Sequence, residues 1–251
     1  MQDLGIFNKI YDFCSVRNSG NFFHNTEEPT PRLKFLIELL QEMKMEFELD
    51  RFVENGVTGH NLVLRGTGNR IVVAHHDIVN PGIDNANDNS CSVINAIALK
   101  LLSPRTHVVL LDGEEVGGLG AQRLSDRIKL GDFGEIEWVL NLELSGKGGR
   151  KFFIGNYPGE LSDKIVKMFN CPIIDTPFND AVIFRRNGID SVVINPLPAL
   201  EEGRTSHVKF EEEWLDFSLL RNCHSNRDSI DTIDPSDMKE FVEEVVLRIV
   251  G

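Results

Sequence analysis

The chain has 251 residues, 41% of them hydrophobic, and a formal net charge of -13 at pH 7. A chain of this kind can bury a sizeable core. Its acidic balance argues against nucleic acid and anionic membrane surfaces as partners, because phosphate binding needs a basic face.

The N-terminus and the cysteines predict a cytoplasmic protein. Residues 1–14 lack the basic start, apolar stretch and cleavage site of a signal peptide. No apolar run approaches the roughly 18 residues of a membrane-spanning helix. The four cysteines show no C-x-x-C spacing, which argues against a zinc knuckle and favours buried, reduced thiols.

The first 45 residues predict two helices joined by a polar loop. A helix is expected near residues 4–16, a loop over 18–31, and a second helix over 31–45. Leucines at helical spacing give this second helix an apolar face, and the proline at residue 31 suits its first turn.

From residue 47 onward, apolar runs of strand length alternate with helical stretches. Several runs are rich in Val and Ile and lack alternation, as in strands buried on both faces. The predicted strands are residues 47–53, 61–64, 70–74, 107–111, 138–142, 152–154 and 191–194. The predicted helices are residues 89–102, 119–128, 159–169, 180–187 and 234–250. This order predicts an α/β fold with a mainly parallel sheet, whose ligands gather at the carboxyl edge of the strands.

Candidate site residues begin where the strand 70–74 ends. His75 and Asp77 lie on the same side of an extended chain, so the Asp77 carboxylate can orient the His75 imidazole. A Gly/Asn/Asp-rich loop then leads into the helix 89–102. Asp84 and Asp88 compete there for the role of a carboxylate that bridges two cations, and Asp88 is preferred because it immediately precedes the helix. Alone, each segment is also typical of a turn or a helix N-cap.

The most specific motif is VVLLDGEEVGGLGA, residues 108–121. Adjacent carboxylates leaving a strand point to different sides, so one of Glu114 and Glu115 can bind a metal while the other acts as a base. Two further candidates are Glu143, after the strand 138–142, and His224, in a polar loop. Each is weak alone, but two histidines and three carboxylates together suit two cations with one shared ligand.

These motifs resemble those of the co-catalytic zinc aminopeptidases, which include bacterial leucyl aminopeptidases and, as relatives, glutaminyl cyclases. The resemblance covers residues 72–231 and rests on a His-x-Asp strand end, a Pro-Gly loop before an Asp-Asn helix start, a Glu-Glu pair, a single acid, and a late His followed by an Asp. It implies a three-layer αβα sandwich with a mixed, mainly parallel central sheet.

The resemblance also implies the metal ligands. His75 and Glu143 bind one zinc ion, His224 and Glu115 bind the other, and Asp88 bridges both. Two zinc ions per chain are therefore expected.

Catalytic roles follow from the same resemblance. Glu114 is the general base and Asp77 supports His75. The peptide bond after Asp88 is expected to be cis.

Some positions depart from the family pattern. Glu143 stands where aspartate is usual, and Cys91 and Ser92 stand where small residues are usual, so that Cys91 is expected to pack near the metals. Asp190 replaces the proline of a Gly-Ile-Pro sequence, and Asp180 is expected to line the site.

A single catalytic domain over residues 1–251 is predicted. The related zinc carboxypeptidases and deacylases insert a dimerisation domain between the single acid and the last histidine. Here the 80 residues between Glu143 and His224 already contain strands and helices of the main fold. They leave no room for that insert.

The predicted function is that of a di-zinc aminopeptidase, which cleaves N-terminal residues from peptides through a metal-bridging hydroxide with Glu114 as base. The expected partner is a peptide or small amide substrate. Two other enzymes stay open: a single-zinc, glutaminyl cyclase-like aminoacyltransferase, and a deacylase or carboxypeptidase of the related branch. A non-catalytic binding module is disfavoured because all the ligand positions carry competent residue types. Specificity is expected to come from loops 145–158 and 196–213, and the oligomeric state stays open.

Overall fold

The computed structural model describes residues 5–16, 29–79, 81–200, 208–210, 213–218 and 220–251. Its strands are β1 (Glu48–Glu54), β2 (Val57–Leu64), β3 (Arg70–His75), β4 (His107–Leu111), β5 (Trp138–Leu142), β6 (Phe152–Gly155), β7 (Ile173–Ile174), β8 (Ser191–Pro196), β9 (Val208–Phe210) and β10 (Glu213–Leu215). Its α-helices are α1 (Lys9–Ser15), α2 (Pro31–Glu42), α3 (Cys91–Leu102), α4 (Leu119–Lys129), α5 (Glu160–Phe169), α6 (Asp180–Arg186), α7 (Pro235–Glu240) and α8 (Leu247–Val250). Short 3-10 helices span Gly5–Asn8, Leu220–Asn222 and Ile230–Thr232, and π-helical turns span Ala86–Ser90 and Phe241–Val246.

Eight strands form one mixed sheet in the order β1-β2-β4-β3-β5-β8-β6-β7. The four central strands β4, β3, β5 and β8 are parallel to one another, while β2 and β6 flank them in antiparallel orientation. The carboxyl ends of the four parallel strands therefore meet at one edge of the sheet. Strands β9 and β10 pair separately as a hairpin.

Helices cover both faces of the sheet. Alternate residues of each strand point to opposite faces, so Val72 and Ala74 of β3 pack into one core cluster with α1, α2, α3, α5 and the C-terminal helices. Ile71 and Val73 pack into a second cluster with α4 and α6. The predicted αβα sandwich with a mixed, mainly parallel sheet is confirmed.

Several boundaries differ from the predicted ones for local reasons. β2 begins at Val57 instead of residue 61, because Asn55 and Gly56 have positive φ angles and close a hairpin with β1. α3 begins at Cys91 because Asp88 and Asn89, inside the preceding π-helical turn, have non-helical backbone angles. Most of the predicted loop 18–31 lies outside the described residues. None of the helices within the described ranges is long and apolar enough to cross a membrane.

Candidate metal centre

The carboxyl edge of the parallel strands brings the predicted site residues together. His75 is the last residue of β3, and Glu143 directly follows β5. Glu114 and Glu115 follow β4 after a turn in which Gly113 has a φ of +77°, a conformation that favours glycine. The two remaining ligand candidates come from loops, one ahead of α3 and one ahead of α7.

Asp88 lies between two histidine–carboxylate pairs. Its Oδ1 is 3.4 Å from His75 Nε2, which is also 3.4 Å from Glu143 Oε2. Its Oδ2 is 3.2 Å from His224 Nε2, which is also 3.2 Å from Glu115 Oε2. Each oxygen of Asp88 therefore serves a different pair.

These separations are longer than a strong charge-assisted hydrogen bond, and they match the spacing of ligand atoms around one cation. A charge-assisted hydrogen bond between nitrogen and oxygen is about 2.7–2.9 Å long. Two ligand atoms, each about 2.0–2.1 Å from the same tetrahedral zinc ion, are about 3.3–3.4 Å from each other. Three possible ligand atoms, one from each of His75, Asp88 and Glu115, also lie within 4.8 Å of one another. The donor set, imidazole nitrogen with carboxylate oxygen, suits zinc.

Asp77 connects the ends of β3 and β4. Its Oδ1 is 3.4 Å from His75 Nδ1, and its two oxygens accept hydrogen bonds from the backbone N–H groups of Glu114 and Glu115 at 3.2 and 3.0 Å. Burial opposes its charge, but His75 and these bonds outweigh burial and lower the pKa of Asp77. The ionised carboxylate thus lies against His75 and holds the backbone of the Glu-Glu pair.

Crowding of acids in a buried place perturbs their protonation. Burial, together with neighbouring carboxylates, raises the pKa of Glu114 to about 10 and that of Glu115 to about 7. Hydrogen bonding to Asp88, aided by Glu115, raises the pKa of His224 to about 9. Burial opposes ionisation of Asp88, but hydrogen bonds from His224 and His75 lower its pKa. Such a cluster favours cations, which compensate the repulsion between ionised carboxylates.

The structure separates the two competing aspartates. Asp88 lies between the two histidines, and its peptide bond to Asn89 is cis, as the resemblance implied. Asp84 faces the other way, since its Oδ2 accepts a hydrogen bond from the backbone N–H of Ile230 at 2.9 Å.

Two asparagines, for which the sequence predicted no role, also hold the centre in place. Asn89 donates to the carbonyl of Leu142 at 3.0 Å and accepts from the N–H of Leu144 at 3.1 Å, which fastens the loop before α3 to the end of β5. Asn141 donates to Glu143 Oε1 at 3.1 Å. Asparagine is common in loops, so its residue type carried no signal of these contacts.

A cavity of about 420 Å³ opens onto the centre. Its charged lining, within the described residues, consists of His75, Asp88, Glu114, Glu115, Glu143 and His224. Its apolar lining includes Leu144, Phe153, Phe178, Val193 and Leu220. Cys223 also lines it, but Asp180 and Cys91 do not. Asp180 is fully buried, where burial raises its pKa, and Cys91 packs beside Gly146, three residues beyond Glu143.

Sequence comparison identifies the family. Residues 61–249 match the profile of peptidase family M28. This segment includes the carboxyl edge of the parallel strands and every candidate metal ligand. The chain belongs to peptidase family M28. The predicted metallopeptidase class and the resemblance to the zinc aminopeptidases are confirmed. A search of curated protein sequences returned no significant match.

Solved structures similar to this M28 chain include both enzyme types named above. The LapA aminopeptidase of Legionella pneumophila is 12% identical, with a TM-score of 0.72 over 98% of this chain and 69% of that one. A Porphyromonas gingivalis glutaminyl cyclase is 17% identical, with a TM-score of 0.67 over 98% and 96%. BSAP, a zinc aminopeptidase from Bacillus subtilis, is 18% identical, with a TM-score of 0.59 over 78% and 50%. At these identities the likeness shows a shared fold.

Proposed function

We propose that this M28 chain is a di-zinc aminopeptidase that cleaves N-terminal residues from peptides. The observation that carries the proposal is Asp88, each of whose oxygens faces its own histidine–carboxylate pair. Zinc held there would lower the pKa of a coordinated water to about 7 and polarise the scissile carbonyl. His75, Glu143 and Asp88 would hold one ion, and His224, Glu115 and Asp88 would hold the other.

Glu114 is the general base in this proposal. It lines the cavity, whereas the neighbouring Glu115 carboxylate points to His224. Cations bound beside Glu114 would favour its ionised form, although burial raises its pKa in the metal-free protein. The ionised Glu114 carboxylate accepts a proton from the attacking water and then donates it to the nitrogen of the leaving amine. Asp77 supports this step by fixing the Glu114 backbone.

The proposed substrate is a peptide or small amide with a free amino group. Two zinc ions in the cavity would offset the four carboxylates that line it among the described residues, so the charge of the lining alone is not the basis of this choice. The choice is supported by the similarity to the solved aminopeptidases. The net charge of -13 disfavours nucleic acid or an anionic membrane surface as a partner. The cytoplasmic location predicted from the sequence belongs to the same proposal.

A second candidate is a glutaminyl cyclase-like aminoacyltransferase with one zinc ion. It is favoured by the similarity to the P. gingivalis enzyme, which extends over nearly all of both chains. Zinc content and the reaction product distinguish the two candidates.

The experiment combines metal analysis with assays on aminoacyl arylamides and on a peptide with N-terminal glutamine. We expect two zinc ions per chain and arylamide hydrolysis by the parent protein. Glu114→Gln should keep both ions and lose turnover by a factor of about 10²–10⁴ or more. Glu160→Gln, at an exposed side chain at the start of α5, is the matched control. Hydrolysis by Glu114→Gln at the parent rate contradicts the proposed base, and one zinc ion with ammonia release from glutamine favours the cyclase.

A further inference from the structure

Reciprocal hydrogen bonds join the loop ahead of α3 to the loop ahead of α7. Asp228 Oδ1 accepts from the backbone N–H of Asn87 at 2.7 Å, and its Oδ2 accepts from that of Asp88 at 3.0 Å. In the other direction, Asp84 Oδ2 accepts from the backbone N–H of Ile230 at 2.9 Å. Each loop thus contributes one carboxylate that holds the backbone of the other.

The environment of Asp228 makes these contacts strong. Its residue exposure is 1%, so water does not compete for the carboxylate. Hydrogen bonds with an ionised acceptor are roughly twice as strong as those between neutral groups. Two such bonds to consecutive N–H groups also fix the direction of the chain that presents Asp88.

His224 needs such external support more than the ligand candidates at the strand ends. His75 and Glu143 are placed by the paired strands β3 and β5. His224 lies in a loop, its side chain is 53% exposed, and its backbone φ of +60° is unfavourable for a residue with a Cβ atom. Its 3.2 Å separation from Asp88 therefore depends on contacts between the loops.

We propose that Asp84 and Asp228 are positioning residues that form a reciprocal clamp and hold His224 against Asp88. The clamp sets the affinity of the His224–Glu115 side for its metal ion. The statement about metal affinity rests on the proposed function. The position of His224 does not, because it is measurable in the metal-free protein.

The first test records imidazole resonances by long-range ¹H–¹⁵N NMR of the metal-free parent, Asp228→Asn and Asp84→Ala. An asparagine at position 228 keeps one acceptor and turns an NH2 group toward the second N–H. We expect the His224 signals of both variants to move toward those of an exposed histidine, while the His75 signals stay in place. Asp231→Asn, an exposed change in the same loop, should match the parent. Unchanged His224 signals in both variants overturn the clamp, and Asp84→Ala, which removes the acceptor of the Ile230 N–H, decides alone if Asp228→Asn does not fold.

The second test measures zinc affinity by competition with a chromophoric chelator. We expect each variant to weaken the binding of the ion on the His224–Glu115 side by about 10–100-fold, and to weaken the other ion less, because His75 and Glu143 are placed by the strands. Lower thermal stability with both affinities unchanged overturns the positioning role and leaves a merely structural one. Equal weakening of both ions overturns the assignment to the His224 side. A parent protein that binds no zinc overturns the proposed function instead, and the NMR result then still decides whether the clamp exists.

Discussion

Asp88 is 8% exposed, yet both of its carboxylate oxygens face histidine nitrogens. An ionised carboxylate in such a place needs positive charge nearby. In the metal-free protein the histidines supply that charge in part, which is why hydrogen bonding to Asp88 raises the pKa of His224 to about 9. Protonation of His224 and metal binding by His224 therefore exclude each other.

A dependence of stability on pH follows for the metal-free protein. The pKa of His224 in the folded state, about 9, lies above its ordinary value of 6.5. Protonated His224 therefore stabilises the fold fully below pH 6.5, and this contribution is lost as the pH rises toward 9. We expect urea unfolding in the presence of a chelator to show the parent losing stability over this interval relative to His224→Gln. A constant difference between the two proteins from about pH 6 to about pH 10 contradicts this coupling.

Helix α5 is capped by a residue from outside the helix. The helix begins after Gly159, which has no side chain to cap it. Asp190, ahead of β8, supplies the missing acceptor: its Oδ2 accepts from the backbone N–H of Leu161 at 2.9 Å, and its Oδ1 pairs with Arg185. A Cβ atom at position 159 would collide with the Asp190 carboxylate, so glycine and aspartate suit each other here.

Removal of this cap should destabilise the protein. We expect Asp190→Ala to lower the free energy of unfolding by about 1–2 kcal/mol, because Leu161 loses its acceptor and Arg185 its partner. Asp163→Ala, an exposed change in the first turn of the same helix, should cost less than about 0.5 kcal/mol, because only the interaction with the helix dipole is lost. Urea titrations of the zinc-saturated proteins measure both values. Equal losses in the two variants rule out capping by Asp190.

At the scale of the whole molecule, the parallel strands concentrate negative charge at one edge of the sheet. The chain carries a net charge of -13, and four carboxylates line a single cavity within the described residues. Burial raises the pKa of Glu114 and Glu115 there, so ionisation of these groups opposes folding without cations. Metal binding is therefore expected to stabilise the folded chain.

Removal of zinc should lower the thermal stability of the whole chain. A ligand that binds only the folded state stabilises it by about 2.7 kcal/mol at a free concentration of 100 times Kd. Calorimetry with EDTA, and after zinc is restored, should show a reversible fall in Tm. Asp88→Asn should show a smaller fall because the bridging charge is lost. Identical Tm values with EDTA and with zinc contradict a metal centre in the folded protein.

Local pattern was sufficient to predict the α/β fold and most of the residues at the centre. Buried strands have recognisable apolar runs, and parallel strands end at a common edge, so His75, Glu143 and the Glu114–Glu115 pair were expected to meet. The choice of Asp88 over Asp84 also followed from its position before a helix. These inferences use neighbours in sequence or the simple rule of parallel strands.

Only the tertiary structure revealed what holds the loops. The bond between Asp228 and the N–H of Asp88 joins residues 140 positions apart. Its acceptor is a carboxylate in an ordinary polar loop and its donor is a backbone group, so neither leaves a sign in the sequence. The role of Asp190 is similar, since its partner Leu161 lies on a different element. The amino-acid sequence alone predicted the candidate metal ligands and the sheet edge at which they meet, because residue type and strand pattern are local. The tertiary structure decided how His224 is brought to Asp88, because that depends on hydrogen bonds between distant segments.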